Sequence, residues 1–137
     1  EAKKRLFAWL YNPDSNDYLL DRKYDRDKLL DKYCIDGKIR TKFDRIIESD
    51  TRNRLNYLIQ STTSDLFLRQ MIKIDKTLHN KKSFISFSLH DSIMVDLADE
   101  DKHLLPQMIE VFGDTALGKY MVNVSAGKDY GNMQKIK

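Results

Sequence analysis

The sequence predicts an α+β fold in which helices cover one face of a mainly antiparallel sheet. Two observations predict this class. Residues 49–79 contain neither glycine nor proline and have apolar residues at helical spacing, which indicates a long central helix. Residues 85–89 and 93–97 then alternate between apolar and polar side chains on either side of His90 and Asp91, as expected for two strands joined by a turn.

Length and charge set the limits of the interpretation. The 137 residues, 41% of them hydrophobic, can bury one ordinary core, so length predicts a single domain. A net charge of +3 does not by itself indicate nucleic-acid binding. Cations concentrate in the N-terminal half, where they fit either a phosphate-binding surface or a solvated surface with interspersed acids: Arg22, Lys23, Arg26, Lys28, Lys38, Arg40, Lys42, Arg45, Arg52 and Arg54.

The N-terminal elements are predicted from start and stop signals. Residues 1–12 fit a helix that ends before Pro13, because proline cannot continue the helical hydrogen bonds, and a short loop follows. A second helix is predicted over residues 25–33, with an aspartate as its N-cap. Asp36-Gly37 predicts a tight turn, and residues 38–47 predict a charged hairpin or extended arm.

The later elements complete the predicted order. The buried side of the central helix is expected at three residues: Leu55, Ile59 and Leu66. After the hairpin, residues 99–112 predict an amphipathic helix that Pro106 interrupts, and residues 120–124 predict a third short strand. The sequence contains no internal repeat and no low-complexity segment.

Asp91 is the first candidate for chemistry. An aspartate at the turn between two apolar strands is held by a rigid scaffold while its carboxylate faces solvent, which suits oxygen coordination of Mg²⁺. Aspartate is also common in turns for purely structural reasons, so the dipeptide alone leaves both interpretations open. Asp96 lies too far along the second strand to be assigned to the metal.

Two rows of side chains at fourfold spacing are the other candidates. Arg52, Asn56 and Gln60 form a polar row that can bond bases, sugars and phosphates, or that is an exposed helix face. The N-terminal row begins with a cation suited to phosphate and continues with two rings suited to stacking, and it fits equally a packed aromatic stripe with a solvated lysine: Lys3, Phe7 and Tyr11.

Taken in order, these patterns resemble motifs of family A DNA polymerases of the bacteriophage, DNA polymerase I-like type. Lys3-x-x-x-Phe7-x-x-x-Tyr11 resembles the fingers helix called motif B. The resemblance implies that the lysine contacts the phosphates of the incoming nucleotide, that the central ring shapes the sugar pocket, and that the tyrosine lies near the nascent base pair. The row of Arg52, Asn56 and Gln60, continuing as QSTTSD, resembles the palm helix that contacts primer and template.

The C-terminal half extends the resemblance over essentially the whole chain. Leu89-His90-Asp91-Ser92 resembles motif C, in which the aspartate binds catalytic metal and the histidine sits near the primer terminus. Gly127-Lys128-Asp129-Tyr130-Gly131 resembles the C-terminal ending of these enzymes. The resemblance implies that residues 1–33 belong to the fingers subdomain, and that residues 34–137 form the palm subdomain with a palm-type antiparallel sheet.

The implied function is DNA-directed DNA synthesis in DNA replication by two-Mg²⁺ nucleotidyl transfer, with primer-template DNA and dNTPs as partners. His90 and Asp91 are the expected catalytic residues. The motif B arginine that precedes Lys3 and the motif A strand with a second metal-binding aspartate are absent. The sequence also begins at Glu1 within a helical pattern. We therefore expect an upstream fragment or partner chain to supply motif A, and the isolated chain to be inactive.

Departures from the family pattern keep other interpretations open. Ser92 stands where motif C usually has glutamate, while Asn12, Asp44 and Ser61 stand where glycine is frequent. A non-catalytic DNA-binding remnant of a polymerase is the alternative that Ser92 and the missing motif A favour. A phosphohydrolase with His90 and Asp91 as a metal pair is more distant, because the other two histidines lack a supporting carboxylate pattern.

Location is only weakly indicated by the sequence. No apolar run approaches the roughly 18 residues needed to span a bilayer, so no membrane partner is expected. The single cysteine, Cys34, fits a reducing compartment. We expect a cytoplasmic protein, in the host cytoplasm if it belongs to a phage, and an organelle matrix is also compatible.

Overall fold

The structure, a computed structural model, describes residues 1–136 and begins with three helices. They are α1 (Ala2–Tyr11), α2 (Tyr18–Tyr24) and α3 (Arg26–Tyr33). The end of α1 just before Pro13 and the span of α3 confirm the sequence predictions. Helix α2 was not predicted, because seven residues are too few to show a helical period.

Aspartates set the ends of α2 and α3. The side chain of Asp17 accepts a hydrogen bond from the amide of Leu20 at 3.2 Å and so caps α2. Asp25 adopts a left-handed conformation, with φ 49°, and ends α2 while its carboxylate accepts from the amide of Lys28 at 3.1 Å. Asp25 therefore turns the chain between two helices and caps the second one, as its N-cap position predicted.

The charged arm after α3 folds as a three-stranded antiparallel sheet. Its strands, in spatial and chain order, are β1 (Cys34–Ile35), β2 (Lys38–Arg40) and β3 (Ile46–Glu48). Asp36 and Gly37 join the first two strands with φ values of 51° and 77°, which a two-residue hairpin turn of this hand requires. The predicted tight turn is confirmed.

The central helix, α4 (Arg54–Thr77), is confirmed but begins later than predicted. Residues 51–53 form a turn, so Arg52 precedes the helix. The buried positions also differ from the prediction. Ile59 is 39% exposed, whereas Leu55 and Leu58 are 5% exposed and Leu66 is 9% exposed. The buried face of α4 therefore runs from Leu55 through Leu58 to Leu66, and Ile59 lies outside it.

A hairpin follows α4. Strands β4 (Phe84–Leu89) and β5 (Ser92–Asp96) pair antiparallel around the two-residue turn at His90 and Asp91, as predicted. A bulge interrupts the register between Ile85 and Phe87.

The segment predicted as one helix over residues 99–112 divides into two helices just before Pro106. A 3₁₀ helix (Asp99–Leu104) leads directly into α5 (Leu105–Gly113), and Pro106 lies in the first turn of α5. The predicted interruption is confirmed, and Pro106 is tolerated at the start of α5 because the first turn has no helical acceptor for the amide that proline lacks.

The predicted strand over residues 120–124 was also wrong. The strands near it are β6 (Asp114–Thr115), β7 (Gly118–Lys119), β8 (Ser125–Ala126) and β9 (Gln134–Lys135), with a 3₁₀ helix (Tyr130–Asn132) before the last. The amide of Tyr120 donates to the oxygen of Gly113 at 2.9 Å, and the amide of Ile136 donates to the oxygen of Val124 at 2.8 Å. Tyr120 is thus bonded to the end of α5 and Val124 to the segment near the C-terminus, so no single strand pairs with residues 120–124.

The α+β class is confirmed. Within residues 1–136 the strands form one three-stranded and three two-stranded antiparallel sheets. The chain divides into two compact units, Glu1–Asp65 and the remainder from Leu66, although length alone predicted one domain. In the second unit, Ile74, Leu78 and Met108 form the buried core. None of the helices described within residues 1–136 is long and apolar enough to cross a membrane.

Candidate functional site

Helix α1 presents the row of Lys3, Phe7 and Tyr11 to solvent. The Lys3 ammonium lies 5.6 Å from the centre of the Phe7 ring, and the Phe7 and Tyr11 rings are 5.9 Å apart at 34°. Phe7 is 42% exposed and Tyr11 is 50% exposed. Both rings are therefore only partly packed, and each keeps solvent-accessible surface that a ligand could contact.

The other side of α1 attaches the helix to α2. Trp9, the buried residue of α1, donates from its indole nitrogen to the carboxylate of Asp21 at 2.6 Å. Arg5 forms a bidentate salt bridge with Asp17, in which Nη2 donates to Oδ1 at 2.6 Å. The Arg5 guanidinium holds the pKa of the Asp17 carboxyl below its usual value. Anchoring on this side leaves the Lys3 side of the helix available.

Only two members of the predicted palm row lie on α4. Gln60 donates from Nε2 to Oδ1 of Asn56 at 2.9 Å, as the spacing of four residues allows. Arg52 lies in the preceding turn, so its placement on the same helical row was wrong. The side chain of Asp50 accepts bonds from the amide and side chain of Asn53 at 2.9–3.1 Å and fixes this turn.

The structure brings α1 and α4 together at two predicted residues. Nε2 of Gln60 lies 3.3 Å from the hydroxyl of Tyr11, across 49 residues of sequence. Gln60 therefore bonds Asn56 on one side and Tyr11 on the other. The predicted nucleotide row and the predicted primer-template row become parts of one polar surface in the first unit.

A partly buried contact that the sequence did not reveal holds the β2–β3 loop on α4. The hydroxyl of Thr41 donates to Oδ2 of Asp65 at 2.9 Å, and Nε of Arg45 lies 2.8 Å from Oδ1 of the same carboxylate. Arg45 also donates to the backbone oxygen of Ser61 at 3.1 Å. Both oxygens of Asp65, five residues after Gln60 on α4, are thus occupied. The charged segment 38–47 gave no signal of which helix it would contact.

The turn in the second unit exposes the predicted metal ligand. His90 adopts φ 53°, and His90 and Asp91 are both exposed. Ser92 donates from its hydroxyl to the backbone oxygen of Leu89 at 2.8 Å, across the base of the turn. Ser92 therefore closes the turn, while the carboxylate of Asp91 remains accessible.

The carboxylate of Asp91 suits a magnesium ion but does not complete a site. Exposed carboxylate oxygens are the ligands that Mg²⁺ prefers, and usually only one or two of them bind it alongside waters and substrate phosphates. Among residues 1–136, no three His, Cys, Asp or Glu side chains come together as a metal-binding group.

Two of the positions where the family often has glycine keep a defined backbone. Asp44 has φ 66°, the left-handed conformation that glycine adopts most easily and that aspartate tolerates. Asn12 is extended, with φ −111°, and needs no glycine. Near the C-terminus, Tyr130 packs edge-on against Phe87, with ring centres 5.8 Å apart.

A shallow hollow of about 370 Å³ lies elsewhere on the first unit. Its lining consists of Arg5 and residues 15–19, and contains none of the predicted site residues. The candidate surface on α1 and α4 is therefore an exposed polar and aromatic surface rather than this hollow.

No protein-family model, curated protein or solved structure matches this chain. What bears on function is therefore the chain's own geometry, above all the contact between Tyr11 and Gln60 and the exposed carboxylate of Asp91.

Proposed function

We propose that this chain is the C-terminal portion of a DNA-directed DNA polymerase of family A, of bacteriophage type, acting in DNA replication. The observation that supports the proposal most is the bond between Tyr11 and Gln60. Each residue was selected from a different motif, and sequence order does not require the two to meet. In a polymerase the nucleotide and the primer-template must meet, so their binding residues are expected to adjoin.

In this proposal α1 binds the incoming dNTP. Lys3 neutralises phosphate charge, Phe7 shapes the sugar pocket and Tyr11 lies beside the nascent base pair. The exposed rings and the cation above one of them suit a ligand that carries an anionic chain and a flat base.

The primer and template lie along the start of α4 in this proposal. Asn56 and Gln60 supply amide donors and acceptors for bases and sugars, and Arg52 supplies an exposed cation for phosphate from the preceding turn. His90 lies near the primer terminus, next to Asp91. Residues 34–137 then contribute the palm and residues 1–33 part of the fingers.

Asp91 supplies one of the two carboxylates that the reaction requires. When bound there, two Mg²⁺ ions would provide the charge that activates the primer 3′-hydroxyl and stabilises the pyrophosphate leaving group. We assign the second carboxylate to an upstream segment or partner chain with a motif A strand. The β4–β5 hairpin supports this assignment, because it pairs with no third strand within residues 1–136 and leaves apolar side chains exposed: Phe84, Phe87 and Leu89.

Primer extension tests the proposal. We would assay the chain alone, the upstream fragment alone, and a mixture of the two, using a primer-template, dNTPs and Mg²⁺. The proposal expects extension in the mixture and its loss with Asp91→Ala. Asp96→Ala, which removes an exposed carboxylate from the same hairpin, is the matched control and should retain extension. Extension that survives Asp91→Ala would refute the assignment of the metal ligand.

A non-catalytic DNA-binding subunit is the second candidate. Ser92 favours it, because this position supplies a turn-closing hydroxyl instead of a second acid. It expects the chain to bind primer-template DNA with an affinity that Gln60→Ala lowers and Asp91→Ala does not. It also expects no extension in any mixture.

A further inference from the structure

The last turn of α1 contains a backbone oxygen that the helix itself cannot satisfy. In an α-helix the oxygen of Trp9 would accept from the amide four residues later, which is position 13. Pro13 has no amide hydrogen. The preceding oxygen, that of Ala8, is satisfied normally by the amide of Asn12 at 3.0 Å. A side-chain donor at the Trp9 oxygen can therefore stabilise the final turn in place of the missing amide.

Arg26 provides that donor from the first residue of α3. Its Nη2 donates to the oxygen of Trp9 and lies 3.4 Å from the oxygen of Asn12, while Nη1 donates to the oxygen of Pro13 at 2.6 Å. Its guanidinium also lies over the Trp9 ring, 4.7 Å from the centre. A cation here is favoured by the partial negative charge at the end of a helix.

The geometry of arginine is required for this arrangement. The planar guanidinium of Arg26 donates to backbone oxygens from its edge while its face covers the indole of Trp9. The ammonium group of a lysine cannot do both. Within residues 1–136, Arg26 takes part in no ion pair at or below 4.0 Å, so its observed bonds go to the end of α1. The contact has no counterpart in the motifs that led to the proposed function.

We infer that Arg26 is a positioning residue for Tyr11, acting through the last turn of α1. Tyr11 is the final residue of that helix, and the direction of its ring depends on the turn that Arg26 closes. Loss of the turn would release the contacts of Tyr11 with Phe7 and Gln60. The inference rests on the proposed function where it assigns Tyr11 to the nucleotide.

The first measurement is independent of nucleotide. Hydrogen exchange of the Asn12 amide reports whether the last turn is closed, and the emission of Trp9, the sole tryptophan, reports the guanidinium above it. Arg26→Gln should accelerate this exchange about tenfold and shift the emission. Arg22→Gln, at an exposed cation on α2, is the control and should change neither. Unchanged exchange in Arg26→Gln would overturn the inference.

The second measurement asks whether Arg26 acts through Tyr11. We would titrate MgdATP by calorimetry into the complex of this chain with the upstream fragment and primer-template DNA, with Arg26→Gln and Tyr11→Ala separately and combined. Arg26→Gln should weaken binding about tenfold in the original chain and have no further effect once Tyr11 is alanine. Additive losses would mean that Arg26 has only a structural role. Arg26→Lys keeps the positive charge and should lose less MgdATP affinity than Arg26→Gln. It replaces Arg26→Gln in the experiment if the glutamine variant does not fold.

The two measurements separate the inference from the proposed function. If the complex with the unmodified chain does not bind MgdATP, the assignment of α1 to the nucleotide fails, while the exchange of the Asn12 amide still decides whether Arg26 holds the turn. If MgdATP binds and Arg26→Gln leaves both exchange and affinity unchanged, the inference fails and the proposed function stands.

Discussion

Gln70 donates a hydrogen bond of 2.5 Å from Nε2 to the backbone oxygen of Val111. The same nitrogen lies 3.2 Å from the oxygen of Phe112 and 3.0 Å from that of Asp114. Gln70 is 3% exposed, and the two hydrogens of its amide nitrogen are shared among these three oxygens at the end of α5. One polar side chain thereby joins two helices of the second unit.

Gln70→Leu should lower the free energy of unfolding by about 2 kcal/mol, because it leaves these partly buried oxygens without their donor. Gln70→Glu should cost more at neutral pH, since a carboxylate would face three carbonyl oxygens. Urea denaturation measures both changes. Lys73→Leu, at an exposed position on the same helix, is the control. If Gln70→Leu leaves the free energy of unfolding unchanged, water must replace the amide as the donor.

Asp101 should make the second unit sensitive to acid. Its carboxylate accepts from the amide and hydroxyl of Ser83, both at 2.9 Å, and the amide bond is the main reason that its pKa lies below the usual value. A lowered pKa in the folded state means that stability is fully present above the unfolded value, about 4. The stability is lost as pH falls through the lower, folded value.

Asp101→Asn should therefore reduce stability at pH 7 and flatten its decline below about pH 4. Ser83→Ala should have a smaller effect on the decline, because the backbone amide of residue 83 still donates. Thermal unfolding measured from pH 2 to pH 7 tests this prediction. If the stability of Asp101→Asn falls as steeply with decreasing pH as that of the unmodified chain, other groups are responsible for the loss.

Asp44 should tolerate glycine better than alanine. At φ 66° a side chain with a Cβ is disfavoured, and aspartate tolerates this conformation better than alanine does. We expect Asp44→Ala to destabilise the first unit by about 1 kcal/mol and Asp44→Gly to be neutral or stabilising. The exposed contact of Asp44 with Arg40 at 3.8 Å contributes little and is lost in both variants. Equal losses in urea denaturation would contradict the backbone explanation.

Under the proposed function, Phe7 should control the choice between deoxynucleotides and dideoxynucleotides once the upstream fragment is supplied. By resemblance to the family, phenylalanine at this position discriminates against dideoxynucleotides, so Phe7→Tyr should increase their incorporation. Chain termination in the primer-extension assay measures the change. Phe84→Tyr adds the same hydroxyl at an exposed position in the second unit and should have no effect. Unchanged incorporation by Phe7→Tyr would refute the assignment of α1 to the sugar pocket.

Sequence reasoning succeeded where a few neighbouring residues set the backbone. Pro13 removes an amide and ends α1, Asp36-Gly37 permits a left-handed turn, and the alternating strands leave His90 and Asp91 as the turn between them. It failed for α2 and for residues 120–124, where a short run of residues fits several conformations and distant partners choose among them.

The candidate site was predicted as lists of residues and not as an arrangement. Tyr11, Asn56 and Gln60 were selected from spacing, while the bond that links them spans 49 residues and has no sequence signal. Arg26 was counted only as one of several cations, although the missing amide of Pro13 indicated that some donor was needed.

By itself the sequence determined the α+β class, the positions of the principal helices and hairpin, and the motifs that resemble a polymerase. Backbone preferences and hydrophobic periodicity act over a few residues, so they can be read along the chain. Only the tertiary structure decided that Tyr11 adjoins Gln60, that Arg26 closes α1, and that Asp65 holds the β2–β3 loop. These contacts depend on which distant donors and acceptors are buried together, and that is settled only when the whole unit packs.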